Sequence, residues 1–176
     1  MIVSFCCWQN IALNADAIQS STFIHTNTNP TYASNASLAV DGNINGGTIN
    51  SISITNEDDP SFWEVDLNGS YNISKIFVFN REIWPDDIKG FQLKVLDADN
   101  NAQYNYTDPD ASGRNLFEID LLQGDVGSKV RIELPKLRND SYLQLAEVMV
   151  FGEQVRNLNA WSQIQKNVFF RNYVCT

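Results

Sequence analysis

The chain of 176 residues is short of several things at once. It has a single histidine, His25, so no metal or catalytic site built on two histidines can form within one chain. It has three cysteines, Cys6, Cys7 and Cys175, and none in its middle. That excludes an internal disulfide framework and a Cys-x-x-Cys metal knuckle. Basic residues are few. Twelve Lys and Arg stand against 21 Asp and Glu, a net charge of −9. A surface this acidic repels phosphate backbones, which argues against nucleic acid as a partner. It also repels anionic lipid unless something bridges the two, so membrane binding is not expected. No apolar run approaches the length of a membrane span. No long segment before residue 153 keeps a helical period.

What is present fits a folded domain. Hydrophobic residues make up 43% and charged ones 19%, too apolar for a disordered chain, and the length suits one domain with a tail. Residues 63 to 151 carry repeated short alternations. Trp63, Val65 and Leu67 alternate with Glu64 and Asp66, and Phe91, Leu93 and Val95 with Gln92 and Lys94. Phe117, Ile119 and Leu121 alternate with Glu118 and Asp120, and Val130, Ile132 and Leu134 with Arg131 and Glu133. Period two puts one set on a core face and the other in water. Tyr71 to Asn80 and Leu145 to Phe151 are more continuously apolar, as strands with both faces partly covered would be. Turn clusters separate the runs, at Asn68-Gly69-Ser70, Asp97 to Asn101, Asp108-Pro109-Asp110 and Gly124 to Gly127. Many short strands at this spacing predict an all-β sandwich or barrel.

Three segments follow: an N-terminal remnant over residues 1–9, the domain over 10–152, and a C-terminal tail over 153–176 with helix-like spacing from Val155 to Trp161. Met1 to Trp8 is apolar but lacks a basic start and is short for a signal core, so it is expected to be the remnant of a signal or of a longer chain. Asn-x-Ser/Thr occurs at Asn35, Asn68, Asn72, Asn105 and Asn139. The sequons point to a secreted, extracellular glycoprotein. The cysteines are open between free thiols and a bridge from Cys6 or Cys7 to Cys175.

The order of features resembles a known family. Asn10 to Asn14, Gln19 to Thr22, Ala39-Val40-Asp41-Gly42-Asn43, Phe62 to Leu67, Ile76 to Arg81 and Leu145 to Gly152 follow one another as in the discoidin or coagulation-factor type C domains. Within that family the F-type lectin, or fucolectin, branch is most similar. The resemblance covers about residues 10 to 152. It implies an eight-stranded jelly-roll β-sandwich of the galactose-binding-domain type, with termini close enough to suit the Cys6 or Cys7 to Cys175 bridge. It implies a non-catalytic module for glycans or glycoproteins, with the ligand among loops at one end, or else a protein or phospholipid adhesion module.

The Asp41-Gly42-Asn43-Ile44-Asn45-Gly46-Gly47 run sets hard oxygens at alternate positions before flexible glycines, which suits calcium. Ile52 stands where an EF-hand needs its bidentate Glu, so this is not an EF-hand. The resemblance implies a different closure: side chains of Asp41, Asn43, Ser51 and Glu147, joined by backbone carbonyls of Leu38 and Ala146. An Asx-rich turn without an ion is the alternative.

For fucose, the lectin branch uses a His, the Arg of an Arg-x-Asp motif and a later basic residue. Arg81 stands at the first Arg, but the Asp position is Ile83, the later basic position is Ile88, and the His position falls near Ile54-Thr55. The triad is mostly absent, so fucose is not expected to be the specificity. A different constellation remains around Arg81, Glu82, Trp84 and Lys89, with Asn56 in the loop before Trp63. Trp84 offers an apolar face for a sugar ring, and Arg81 with an acidic neighbour offers forked donors and acceptors for vicinal hydroxyls. No nucleophile and base share a motif, so an enzyme is not expected.

Overall fold

The computed structural model describes residues 9–109, 113–135 and 142–155. Cys6, Cys7, Cys175, Asn139 and nearly all of the tail lie outside the described residues. The strands are β1 (Asp16–Gln19), β2 (Ile24–His25), β3 (Tyr32–Ala33), β4 (Ser53–Ile54), β5 (Ser61–Asn80), β6 (Gln92–Leu96), β7 (Ala102–Thr107), β8 (Leu116–Leu134) and β9 (Gln144–Gln154). The last strand continues two residues past the boundary read at Gly152.

Two of the turn clusters are not loops. Asn68-Gly69-Ser70 lies inside β5, and Gly124 to Gly127 lies inside β8. Asn68 takes a left-handed backbone (φ 53°) and its N–H donates to Asp66 Oδ1 at 2.8 Å. The pairing with β8 jumps there from Asp66↔Lys129 to Tyr71↔Gly127. A bulge of this kind bends a strand without ending it. Each long strand therefore serves two regions of sheet. In one, β1, the first part of β5, the last part of β8, β6 and β7 lie side by side. In the other, the first part of β8, the last part of β5 and β9 lie side by side, with the two-residue β4 at the edge. These regions supply five and three strands, leaving β4 aside. The fold is an all-β jelly-roll sandwich.

The alternating apolar sets meet in one core. Trp63, Val65, Leu93, Val95, Val130 and Ile132 from the first region join Ile76, Val78, Phe117, Val148 and Val150 from the second, all essentially without solvent contact. Trp63 also satisfies its only polar atom, donating from Nε1 to the Ala36 carbonyl at 3.0 Å. Burying each large side chain contributes about 1.5–3 kcal/mol, which fixes which face of every strand points inward. The polar partners in the same strands face out and pair: Arg131 bonds Glu64 across strands at 3.1 Å and Glu133 along its own strand at 2.6 Å, and Lys94 bonds Glu133 across strands at 2.6 Å.

The end of β5, the start of β9 and β4 meet at one end of the sandwich, with Ile54 opposite Gln144 and Asn80 opposite Leu145. The β2–β3 hairpin is hung beside them: Ile54 N donates to Ser34 O at 3.2 Å and Phe23 N to Ile54 O at 2.9 Å.

Candidate functional site

At this end a cleft of about 500 Å³ opens between Phe23, Ile49, Ile54, Arg81, Trp84, Asp87, Tyr142 and Gln144. Its size is in the range of small-molecule sites, and its walls are mostly apolar with a few converging polar groups. Trp84 forms one side. Its backbone is left-handed (φ 63°, ψ 56°), a conformation bulky residues avoid at a cost of ~1–3 kcal/mol. Several bonds enforce it. Asp87 N donates to Trp84 O at 3.1 Å, starting a 3-10 turn over Pro85–Ile88. Asn80 Nδ2 donates to Pro85 O at 2.9 Å, and Gly113 N donates to Asp86 Oδ1 at 2.7 Å. Gly113 is pressed so close that a β-carbon there would stand 2.0 Å from Pro85 O. The result is a tryptophan 64% exposed.

The Arg81 guanidinium lies over the Trp84 ring, 4.5 Å from its centroid. Its Nη1 donates to Gln144 Oε1, and Gln144 Nε2 donates to Asp87 Oδ2 at 3.0 Å. Burial lowers the Arg81 pKa, while the charge of Asp87 opposes that shift. At the mouth, Tyr142 Oη donates to Glu57 Oε1 at 2.7 Å.

Of the five residues read as ligand contacts, Arg81 and Trp84 line this cleft. Glu82 turns toward the Ile44–Gly47 loop, with its N–H on Gly46 O at 3.0 Å and its carboxylate beside Gly47. Lys89 pairs with Asp86 at 2.8 Å. Asn56 ties its loop to the segment after β1, its N–H donating to Ser21 Oγ at 2.9 Å. None of these three is among the lining residues. Phe23, Ile49, Tyr142 and Gln144 join the cleft without any mark in the sequence.

His25 is far from the histidine position in chain order but not in space. It lies in β2, with its ring stacked on Tyr32 at 4.1 Å and set edge-on to Phe23 at 4.8 Å. Its Nε2 bonds Ser34 Oγ at 2.9 Å. Burial lowers its pKa and the Arg81 charge lowers it further, so the ring stands behind the cleft wall as a neutral group.

A second cluster adjoins the cleft. Asp41 Oδ1 accepts from Asn43 N at 2.8 Å, Asn43 Oδ1 from Asn45 N at 3.1 Å, and Asn45 Oδ1 from Gly47 N at 2.9 Å. Successive Asx turns of this kind curl a loop tightly. Ser51 Oγ closes it, 2.6 Å from the Asn45 carbonyl. Leu38 lies in the 3-10 turn Ala36–Ala39 just before the loop. Across from it, Ala146 falls at an irregularity of β9, where Phe79 faces Glu147 but Asn80 faces Leu145. Glu147 is fully buried. Its Oε2 accepts from Gly42 N at 3.2 Å, and its Oε1 has no hydrogen-bond partner. Burial pushes its carboxyl up to about 7; the Gly42 bond opposes this and the Asp41 charge adds to it. Among the described residues no three His, Cys, Asp or Glu side chains gather as a metal group, so an ion here would rest on two carboxylates and neutral oxygens. The loop and the cleft touch at Gly46, where a β-carbon would stand 2.5 Å from Asn80 O.

Residues 38–132 match the F5/F8 type C family model, described as a NedA-like, galactose-binding domain. The chain belongs to this F5/F8 type C family. No curated protein matches it significantly. Among solved structures, this F5/F8 type C domain is similar to a Streptococcus pneumoniae fucose binding module, SpX-3, at 34% identity and a TM-score of 0.69, over 83% of this chain and 99% of that one. It is similar to the lectin domain of lectinolysin, solved with Lewis b antigen, at 28% identity and a TM-score of 0.70, over 82% of this chain and 97% of that one. It is also similar to an F-lectin from the serum of striped bass, Morone saxatilis, at 26% identity and a TM-score of 0.68, over 84% of this chain and 50% of that one.

Proposed function

We propose that the domain is a non-catalytic, calcium-stabilised lectin module that binds glycans in the Arg81–Trp84 cleft, in an extracellular setting. The observation that carries this reading is the exposed, conformationally strained Trp84 with a guanidinium fixed beside it. Strain persists where the surroundings enforce it, and an exposed ring contributes little to a core. A sugar ring laid on Trp84 would cover apolar C–H groups, while Arg81 donates to ring hydroxyls and Asp87 accepts from them. Support also comes from the kinship with a protein named as a fucose binding module. Fucose itself is not part of the proposal. Ile54 lines the cleft where the lectin branch has histidine, and Ile88 is 1% exposed where it has a basic residue.

For the ion, support comes from Glu147 Oε1, a buried carboxylate oxygen with no partner, set near a second acid. Such an atom is costly unless something fills its coordination. Glu147, Asp41, Asn43 and Ser51, with the Leu38 and Ala146 carbonyls, would hold calcium. The hard cation would neutralise the two acids and tie the loop to β9. Because Gly46 packs on Asn80 and its carbonyl accepts from Glu82 N, a firm loop holds the Arg81 segment in place. Extracellular calcium sites need only modest affinity, which suits so few carboxylates.

Binding on a broad glycan array, lost in both Trp84→Ala and Arg81→Ala while their circular dichroism is unchanged, is the expected outcome. Equal binding by the variants would contradict the assignment of the cleft. One observation favours a second reading, adhesion to lipid. Ile44, Ile83 and Trp84 are 49–64% exposed on the two loops that meet beside the cleft. Co-sedimentation with neutral and anionic liposomes separates the two; the net charge of −9 speaks against the anionic ones.

A further inference from the structure

We propose that Asp87, joined to Arg81 through the Gln144 amide, sets the charge preference of the cleft, so that it takes uncharged glycans and rejects sialylated, sulfated or uronic ones. The inference rests on the glycan-binding reading and specifies its substrate class.

Among the described residues, Arg81 and Asp87 are the two charged side chains that line the cleft, and they are opposite in sign. An arginine standing alone in a cleft recruits carboxylates and sulfates through its forked donors. Here one of those donors, Nη1, is already committed, and a carboxylate stands close by. Gln144 is 4% exposed, with both ends of its amide committed: its oxygen accepts from Arg81 and its nitrogen donates to Asp87 at 3.0 Å. The reverse amide orientation would point its N–H groups at a guanidinium and its oxygen at a carboxylate, so the charges on either side hold it in one orientation. The two adjacent acids of the turn diverge. Asp86 turns to Lys89 and the Gly113 N–H, while Asp87 turns to the cleft. Asp87 also acts on Arg81 electrostatically, countering the effect of burial on the guanidinium. Glu57, bonded by the cleft residue Tyr142, adds a further carboxylate at the mouth. An anionic group approaching Arg81 therefore meets Asp87, then Glu57, within a molecule of net charge −9. A neutral sugar meets donors and an acceptor side by side and no repulsion. Rejection by like charge is a standard source of specificity.

The test uses the full chain with calcium, and matched pairs of neutral oligosaccharides and their sialylated or sulfated forms, at low and physiological salt. Wild type is expected to bind at least one neutral glycan and to bind its anionic partner worse. Asp87→Asn keeps the shape and still accepts from Gln144, but leaves the Arg81 charge unmatched. It is expected to move the anionic-to-neutral affinity ratio upward by about tenfold, and more at low salt, since exposed charge effects are screened. Gln144→Met, of similar volume, is expected to move the ratio the same way while weakening neutral binding, and it carries the test if Asp87→Asn fails to fold. A ratio unchanged in the variants, or a wild type that prefers the anionic partner, overturns the inference and leaves glycan binding standing. A wild type that binds none of the pairs overturns both.

Discussion

Trp84 contributes little to the fold from either half of the residue: its backbone is strained and its ring stands largely in solvent. Glycine takes a left-handed backbone at no steric cost. Trp84→Gly is therefore expected to unfold in denaturant no earlier than wild type, yet to lose about 0.5–1.5 kcal/mol of glycan affinity, the scale of a lost aromatic stack. Unfolding earlier by several kcal/mol would make Trp84 a structural residue. Glu147 is the opposite case, fully buried with one carboxylate oxygen unsatisfied. A ligand at a hundred times its dissociation constant adds about 2.7 kcal/mol to stability. Glu147→Gln should remove most of the stabilisation that calcium gives, measured as the difference in unfolding midpoint with calcium and with chelator. A variant still stabilised like wild type would place the ion elsewhere.

At the scale of elements, the contact between the Asp41–Gly47 loop and the end of β5 is expected to be unforgiving. Gly46→Ala would drive a methyl group to 2.5 Å from Asn80 O. The backbones must separate, at about 1–3 kcal/mol, and the Arg81 segment should shift with them. Lower thermal stability together with weaker glycan binding is the expected result, and unchanged binding would uncouple the two loops. The same elements show what sequence reading reaches. Period-two alternation found the core faces of β5, β6 and β8, because burial of Trp63, Leu93 or Ile132 leaves a mark at every second residue. Alternation does not distinguish a bend from an end. Asn68-Gly69 has the composition of a turn, and only the pairing of its flanks with β8 and β9 keeps it within β5. Of the cleft, Arg81 and Trp84 were legible because they crowd one polar loop. Gln144 was not, since it sits at the head of the apolar strand β9 and owes its role to Ile54, Arg81 and Asp87 on other segments. His25 likewise reaches the cleft wall only because the β2–β3 hairpin folds back onto Ile54.

Across the whole molecule, stability, pH and calcium are linked through one carboxyl group. The folded, metal-free protein holds a proton on Glu147 up to about pH 7, whereas an unfolded glutamate loses it near 4.5. The folded state then binds more protons within that window, so stability falls as pH rises through it, by up to about 3 kcal/mol. Calcium should displace that proton and remove the decline. Denaturant unfolding of the chelated protein at pH 5 and at pH 7.5 is expected to show greater stability at pH 5, and calcium is expected to raise the pH 7.5 value more. Equal stability at both pH values without calcium would mean that Glu147 has found another partner. The central claim, that a calcium-held loop presents the Arg81–Trp84 cleft to a glycan, is tested most directly by one glycan array probed with the full chain in calcium and again in chelator. The expected result is binding to a defined set of glycans in calcium that weakens or disappears in chelator. Silence in both conditions, or the same binding in both, would contradict it.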